Sequence, residues 1–371
     1  MWPFKSRNGN HRNGDDCHSE RLNGFTGDAC PDFLCVGAQK AGTSWLYRQL
    51  EQHPDFWMPP VKELHYFDQL NKTKQFHPPR NGDERDASFL ESMEDLRGRF
   101  YLDLDSYGRL FCHKGTLLSG DISPAYSTLS DEIIERVVDR FRNLKVVFLA
   151  RDPVERAWSQ LSMGVRLGMI SPFDATDAEE VIQNLLNPGV LVRSHPSKTV
   201  ARWKRYVSPE QFRVYFFDDL KENPTELRRS ILLFLGGDPN KASGGTKPHD
   251  NSDAGRDKLG LTANVRDRMA RFFEQELKAC ALELGERAKT WPARYGFSLL
   301  LFLWDVLDDS IEPIGPNTPL PEVTSHLATY DLVAIPVVDG GDRLVGAVTV
   351  DDVLDHLLPE NWRRAEGVAN G

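Results

Sequence analysis

The sequence predicts an α/β protein whose main part is a P-loop-type parallel sheet flanked by helices, followed by a small α+β module at the C-terminus. Three observations lead there. Short apolar runs alternate with helical stretches through most of the chain, a glycine-bounded loop joins the first run to its helix, and the charge balance breaks near residue 297. Strands that alternate with helices lie parallel, because each helix carries the chain back to the same end of the sheet.

The first strand is "FLCVG", a buried-type run ending in glycine, and "TSWLYRQLEQH" after it has helical spacing at Trp45, Leu46 and Leu50. A second unit starts at "KVVFLA" (Lys145 to Ala150), entered from "DEIIERVVDRF", whose Ile133, Ile134, Val137, Val138 and Phe141 share one helical face. "RVYFF" (Arg213 to Phe217) is a third run; "DDLKENP" and the helix "TELRRSILLFLGG" follow it, the helix stopping at its glycines. Polar, Gly/Pro-rich stretches near 70–98 and 186–200 read as loops that shape an acceptor cleft. Residues 238–258 form another loop, and a last helix runs from about Thr262 to Leu284.

Composition excludes several classes. The longest apolar run, "FSLLLFLW" (Phe297 to Trp304), falls far short of the roughly 20 residues a bilayer span needs, so no membrane insertion is expected. The N-terminal 30 residues are polar, lack a signal-peptide core and read as a disordered tail. Five cysteines without C-x-x-C spacing suit a reducing cytoplasm better than a disulfide framework. Residues 297–371 hold 13 acidic residues against three arginines and so carry the whole net charge of −10, leaving 42 basic and 42 acidic residues before them. That break marks two modules and argues against a nucleic-acid partner for the tail.

The loop after the first strand, "VGAQKAGTSWL", nearly spells a Walker loop, which reads G-x-x-x-x-G-K-[ST]. Gly37 and Gly42 are correctly spaced, but Thr43 fills the lysine slot and Lys40 sits mid-loop. Such a loop aims backbone N–H groups and a helix dipole at an anion. A cation at Lys40 lies nearer the first bridging oxygen than any third phosphate, which suits a donor whose transferred group is attached directly to a 5′-phosphate.

With "PPVKELHYFD" and "KVVFLARDPVERAWSQ" following in order, residues 31 to 296 resemble the sulfotransferases that use 3′-phosphoadenosine 5′-phosphosulfate (PAPS), in particular the heparan sulfate and bacterial branch. "FFDDLKENP" with "FLGG" is similar to a later strand and helix of that family. The resemblance implies that Gln39, Lys40, Ala41, Gly42, Thr43 and Ser44 bind the 5′-phosphosulfate, with Lys40 also neutralising the departing oxygen. It implies that Arg151 and Ser159 hold the 3′-phosphate, that Glu63 is the general base on the acceptor hydroxyl, and that His65 orients the acceptor or supports the base. No metal is required on this reading, since Lys40, Arg151 and backbone dipoles supply the electrostatics. Arg151 also has Asp152 and Glu155 within pairing reach, and "GDISPAY" (Gly120 to Tyr126) resembles a cleft-lining segment or simply starts a helix. The K-G-R loop of heparan-type relatives has only "AGRDK" as its counterpart, with Arg256 as a donor contact and no flanking cysteines.

The tail has its own pattern: a helix (Leu320 to Thr329), "VAIPVVD", a "GGD" turn, "RLVGAVTV" and the helix "DDVLDHLL". This resembles a single CBS repeat of the kind in magnesium-transporter regulatory domains, and Gly346, Thr349 and Asp352 match positions that hold phosphate and ribose of adenine nucleotides. The expected organisation is a tail (1–30), a sulfotransferase domain (31–296), a linker (297–312), the CBS-like repeat (313–361) and a second tail (362–371). The expected function is transfer of a sulfuryl group from PAPS to a hydroxyl, or an amine, of a sugar, phenol or alcohol, with homodimerisation through the tail. The alternatives are a small-molecule P-loop kinase, disfavoured by the missing lysine after Gly42, and an adenylate-sensing protein with an inactive front domain.

Overall fold

The apolar runs form four short strands, β1 (Phe33–Cys35), β2 (Gly120–Ile122), β3 (Lys145–Ala150) and β4 (Phe212–Phe216), all parallel and ordered β2-β1-β3-β4. The structure, a computed structural model, describes residues 30–69, 83–97, 101–242, 247–248, 259–298, 313–329, 334–341 and 343–349, with 353 and 356. Arg256, Asp352 and residues 1–29, 299–312 and 357–371 lie outside the described residues. Two units divide at Tyr295 and Gly296. β2, read from sequence only as part of a cleft-lining segment, is too short for a periodicity signal and is fixed by pairing: Phe33, Leu34 and Cys35 face Gly120, Asp121 and Ile122.

The chain leaves β1 for β2 on one side and then crosses to β3 on the other. In an open parallel sheet that reversal opens a crevice at the carboxyl ends of the strands. The helices of the first unit are α1 (Thr43–Glu51), α2 (Glu84–Arg97), α3 (Leu104–Arg109), α4 (Asp131–Arg140), α5 (Pro153–Arg166), α6 (Ala178–Leu185), α7 (Pro188–Leu191), α8 (Pro196–Lys204), α9 (Phe217–Glu222), α10 (Pro224–Leu235), α11 (Ala263–Phe272) and α12 (Glu274–Glu283). Their starts follow capping chemistry. Asp152 accepts from the Val154 and Glu155 amides with Pro153 at the first helical position, Asn223 and Pro224 open α10, and Gly236 in the left-handed region closes it.

Three sequence expectations are corrected. The stretch 70–98 contains α2, whose Phe89, Leu90, Met93 and Leu96 are buried at helical spacing beneath many charges, with Phe89 against Trp57. The stretch 186–200 contains α7 and the start of α8, because Pro188 and Pro196 stand at first helical positions and Trp203 is wholly buried. The last helix breaks at Phe273, whose φ of −99° and ψ of 11° part α11 from α12. The thiols also depart from expectation: Cys35, Cys112 and Cys280 are free, but Cys30 is disulfide-bonded.

The second unit is described by α13 (Leu320–Thr329) and an antiparallel hairpin of β5 (Ala334–Val338) and β6 (Leu344–Thr349). Its small core gathers Ile314, Val323, Leu327, Ile335, Val337 and Val353. Leu344 and Val345 are exposed on β6.

β2 depends on Gly120, where an added Cβ would come within 2.3 Å of the Phe33 carbonyl oxygen. Gly120→Ala should therefore lower stability by roughly 1–3 kcal/mol, the range of an overpacked core, as measured by denaturant unfolding.

Candidate active site

Beyond Cys35 the chain stays hydrogen-bonded to β3: the Val36 amide donates to the Val147 carbonyl, the Leu149 amide to the Gly37 carbonyl at 2.7 Å, and the Ala38 amide to the Leu149 carbonyl at 2.8 Å. Two glycines let the loop turn there. Gly37 has φ of 154° with Phe148 2.8 Å from where a Cβ would sit, and Gly42, at φ 98°, has Leu220 2.7 Å away. Gly42 precedes α1 with no side-chain cap, so the first-turn amides keep the anion-seeking character of a helix start. Thr43 is buried and Ser44 exposed at that start.

Lys40 also lies in the left-handed region, at φ 69°, uncommon for a residue with a side chain. Its ammonium lies 3.7 Å from the sulfur of Met163 on α5. Arg151, at the end of β3, donates from Nη1 to the Lys40 carbonyl at 2.7 Å and from Nη2 to Glu155 at 3.3 Å. Its guanidinium stacks 4.3 Å over the Phe217 ring, and Lys221 also bonds Glu155, at 2.7 Å. Burial pulls the Arg151 pKa down and Glu155 counters it. Among the described residues the buried Nε of Arg151 has no partner, nor does the buried Oε1 of Gln39 in the loop. Ser159 is half-buried on α5.

The "KELHYFD" segment forms a second cluster. Lys62 pairs with Glu63, and His65 Nε2 lies 3.3 Å from Glu63 Oε2 while Nδ1 lies 3.0 Å from Asp68 Oδ2. The imidazole thus bridges two carboxylates. Burial pushes the Glu63 carboxyl up, but His65 and Lys62 outweigh it and hold it down to about 2. Asp68, then Glu63, raise His65 to about 9 against its burial, so it is an imidazolium at neutral pH. Glu63 and His65 stand at φ 66° and 54°. The fully buried Cys35 thiol, pushed up to about 12 by burial, feels the charges of Lys62, Asp121 and Glu63, so this turn lies near the carboxyl end of β1.

The site residues expected from sequence thus fall into two groups, the loop with Arg151, and Glu63 with His65. Asp68 and Lys62 were missed. Asp68 carried a signal, since a carboxylate three residues past a histidine can reach its ring in a turn. In the second unit Gly346 and Thr349 lie on β6.

Residues 31–239 match the profile of the Sulfotransferase family. The chain belongs to that family. Residues 304–359 match the CBS domain. A sulfotransferase from Alicyclobacillus acidocaldarius superposes with a TM-score of 0.51 at 26% identity, covering 70% of this chain and 98% of that one. The membrane-associated sulfotransferase kil1 of Dictyostelium discoideum is 26% identical over 136 residues, 37% of this chain and 23% of its own length. The magnesium transporter MgtE of Thermus thermophilus is 43% identical over 56 residues, 15% of this chain and 12% of its own. The chain therefore spans a quarter or less of the curated relatives it matches. No helix among the described residues is long and apolar enough to cross a membrane.

The raised His65 pKa sets a stability window. A proton held more tightly in the folded state stabilises fully below the unfolded value of 6.5 and is lost as pH rises through about 9. His65→Gln should therefore melt below the unmodified protein at pH 6, and the gap in Tm should close by pH 10.

Proposed function

We propose that this protein transfers the sulfuryl group of PAPS to an acceptor hydroxyl by in-line attack. The observation that carries the reading is one end of the sheet, at the carboxyl end of β1, bearing both an anion-seeking loop, tied to Arg151 through the Lys40 carbonyl, and a carboxylate–imidazolium–carboxylate cluster. The buried Nε of Arg151, without a partner among the described residues, fits an anion partner, as the donor's 3′-phosphate would be, with Ser159 of α5 as its second contact on this reading. Gln39 to Ser44 would hold the 5′-phosphosulfate, whose bound form supplies the sulfur electrophile and a stable phosphate leaving group. Glu63 takes the acceptor proton as the acceptor oxygen bonds sulfur and the bridging oxygen–sulfur bond breaks. Lys40 compensates the charge left on that oxygen. His65, held as imidazolium by Asp68, keeps Glu63 ionised and aimed. Sugars, phenols and alcohols are the acceptor classes, and a cytoplasmic location belongs to the same reading, although the Cys30 disulfide speaks for oxidising conditions.

A second reading has a specific observation behind it. A carboxylate held down to about 2 is a weak base, and the neighbouring imidazole, at about 9, is a stronger one once deprotonated. The alkaline limb separates the two. With Glu63 as base, turnover of labelled PAPS on a panel of sugars, phenols and alcohols falls as pH rises through about 9, whereas His65 as base makes it rise. Glu63→Gln should lower kcat about a hundredfold or more while preserving affinity for the product nucleotide, 3′-phosphoadenosine 5′-phosphate (PAP). Arg151→Ala should weaken PAP by about 1.5–3 kcal/mol in calorimetry, the worth of a charged hydrogen bond. Equal affinity for PAP and magnesium-ATP would overturn the donor assignment in favour of a kinase.

The acidic second unit acts in association on this reading. A lone repeat of this size buries little apolar surface, and Leu344 and Val345 are exposed on β6, so a second copy of the same unit is the natural cover. Adenylate binding at Gly346, Thr349 and Asp352 is the secondary role. Truncation after Gly296 should preserve PAP binding and convert dimer to monomer in light scattering. Loss of PAP binding on truncation would show that the tail belongs to the catalytic fold.

A further inference from the structure

Asp121 is 1% exposed in the middle of β2, yet its carboxylate receives four hydrogen bonds. Oδ1 accepts from the Ser123 hydroxyl at 2.7 Å and the Leu64 amide at 3.4 Å, while Oδ2 accepts from the Tyr126 hydroxyl at 2.6 Å and the Tyr107 hydroxyl at 3.2 Å. An ionised carboxylate offers no proton, so each hydroxyl must point its hydrogen at Asp121 and its lone pairs elsewhere. Two of those hydroxyls then accept from backbone amides: Ser123 from His65 at 3.2 Å, and Tyr126 from Tyr66 at 3.1 Å. Three consecutive amides, of Leu64, His65 and Tyr66, therefore end on Asp121 directly or one hydroxyl removed.

That segment is the one whose backbone needs holding. Glu63 and His65 both occupy the left-handed region, with φ of 66° and 54°, and such residues persist where the surroundings over-determine them. A carboxylate buried only for stability needs donors, but not donors that serve successive residues of one turn. The Tyr107 ring also stacks on Tyr66, 5.2 Å away and 12° from parallel.

We infer that Asp121, acting through Ser123 and Tyr126, is a positioning residue that fixes the backbone of the Glu63–Tyr66 turn and so sets the Glu63–His65–Asp68 alignment. The inference rests on the catalytic reading of Glu63 and His65 given above, but its physical content can be measured separately. Burial raises the Asp121 pKa above the ordinary carboxylate value, and the hydrogen bonds from Tyr126, Ser123, Leu64 and Tyr107 oppose that rise.

The test follows His65 itself. In full-length protein with isotope-labelled histidine, the His65 titration midpoint is read by NMR for Asp121→Asn, Ser123→Ala, Tyr126→Phe and Tyr107→Phe, with PAP affinity measured by calorimetry. Asp121→Asn, Ser123→Ala and Tyr126→Phe should each lower the midpoint by about one pH unit or more, as the carboxylates lose alignment, with PAP affinity within about twofold. Tyr107→Phe keeps the ring stack and removes a donor that serves no amide, so it should lower Tm and leave the midpoint in place. If Asp121→Asn fails to fold, the two single-hydroxyl variants decide. Unchanged His65 midpoints in Ser123→Ala and Tyr126→Phe, or equal effects of Tyr107→Phe and Tyr126→Phe, would overturn the inference. Unimpaired turnover in Glu63→Gln would instead overturn the catalytic reading and leave the positional result standing.

Discussion

The constraint on which the rest depends is the extension of β1 past its last strand residue. Gly37 and Ala38 exchange hydrogen bonds with Leu149 on β3, so the loop begins already anchored to a buried strand. The sheet order β2-β1-β3-β4 makes this the point where the chain reverses direction across the sheet. From that anchor Lys40 and Gly42 turn left-handed, α1 starts, and Arg151, at the end of the partner strand, reaches back to the Lys40 carbonyl. One pairing thereby sets the loop, the helix start and the arginine together.

Charge burial is handled differently in the two halves of the site. Arg151 is compensated by Glu155 and by the Phe217 face, a neutralisation that an incoming anion can share. Lys62, Glu63, His65 and Asp68 neutralise one another through direct contact, so burial, which alone would push Glu63 up and His65 down, loses to local pairing. Arg156, wholly buried, has Gln160, Ser194 and the Val190 carbonyl as partners and is held down to about 9 by burial. It pins the α7 segment to α5, turning a stretch that reads as loop into part of the core.

The second unit is separate in composition as well as in packing. Its core is a handful of aliphatic residues, its hairpin leaves β6 exposed, and it belongs to a different domain class from the sulfotransferase unit. The second unit begins at Gly296, and the acidic excess is carried by residues 297–371.

The sequence by itself determined what local chemistry can encode. Short apolar runs marked β1, β3 and β4, helical apolar patterns marked α1, α4 and α10, glycine spacing marked the loop, and short motifs marked Lys40, Glu63, His65, Arg151 and Ser159. Helices α2, α7 and α8 stayed hidden because their apolar residues are few among charges or prolines, and only burial of Phe89, Met93 and Trp203 reveals their faces. β2 stayed hidden because Gly120, Asp121 and Ile122 make no apolar run of the kind that marks β1. The tertiary structure alone decided that Asp121, 58 positions from Glu63 in the sequence, lies under the Glu63 turn, where it accepts from the Leu64 amide. Hydrogen bonds between distant segments leave no periodic trace in a sequence, since their partners are set by strand order and register, which exist only once the sheet has formed.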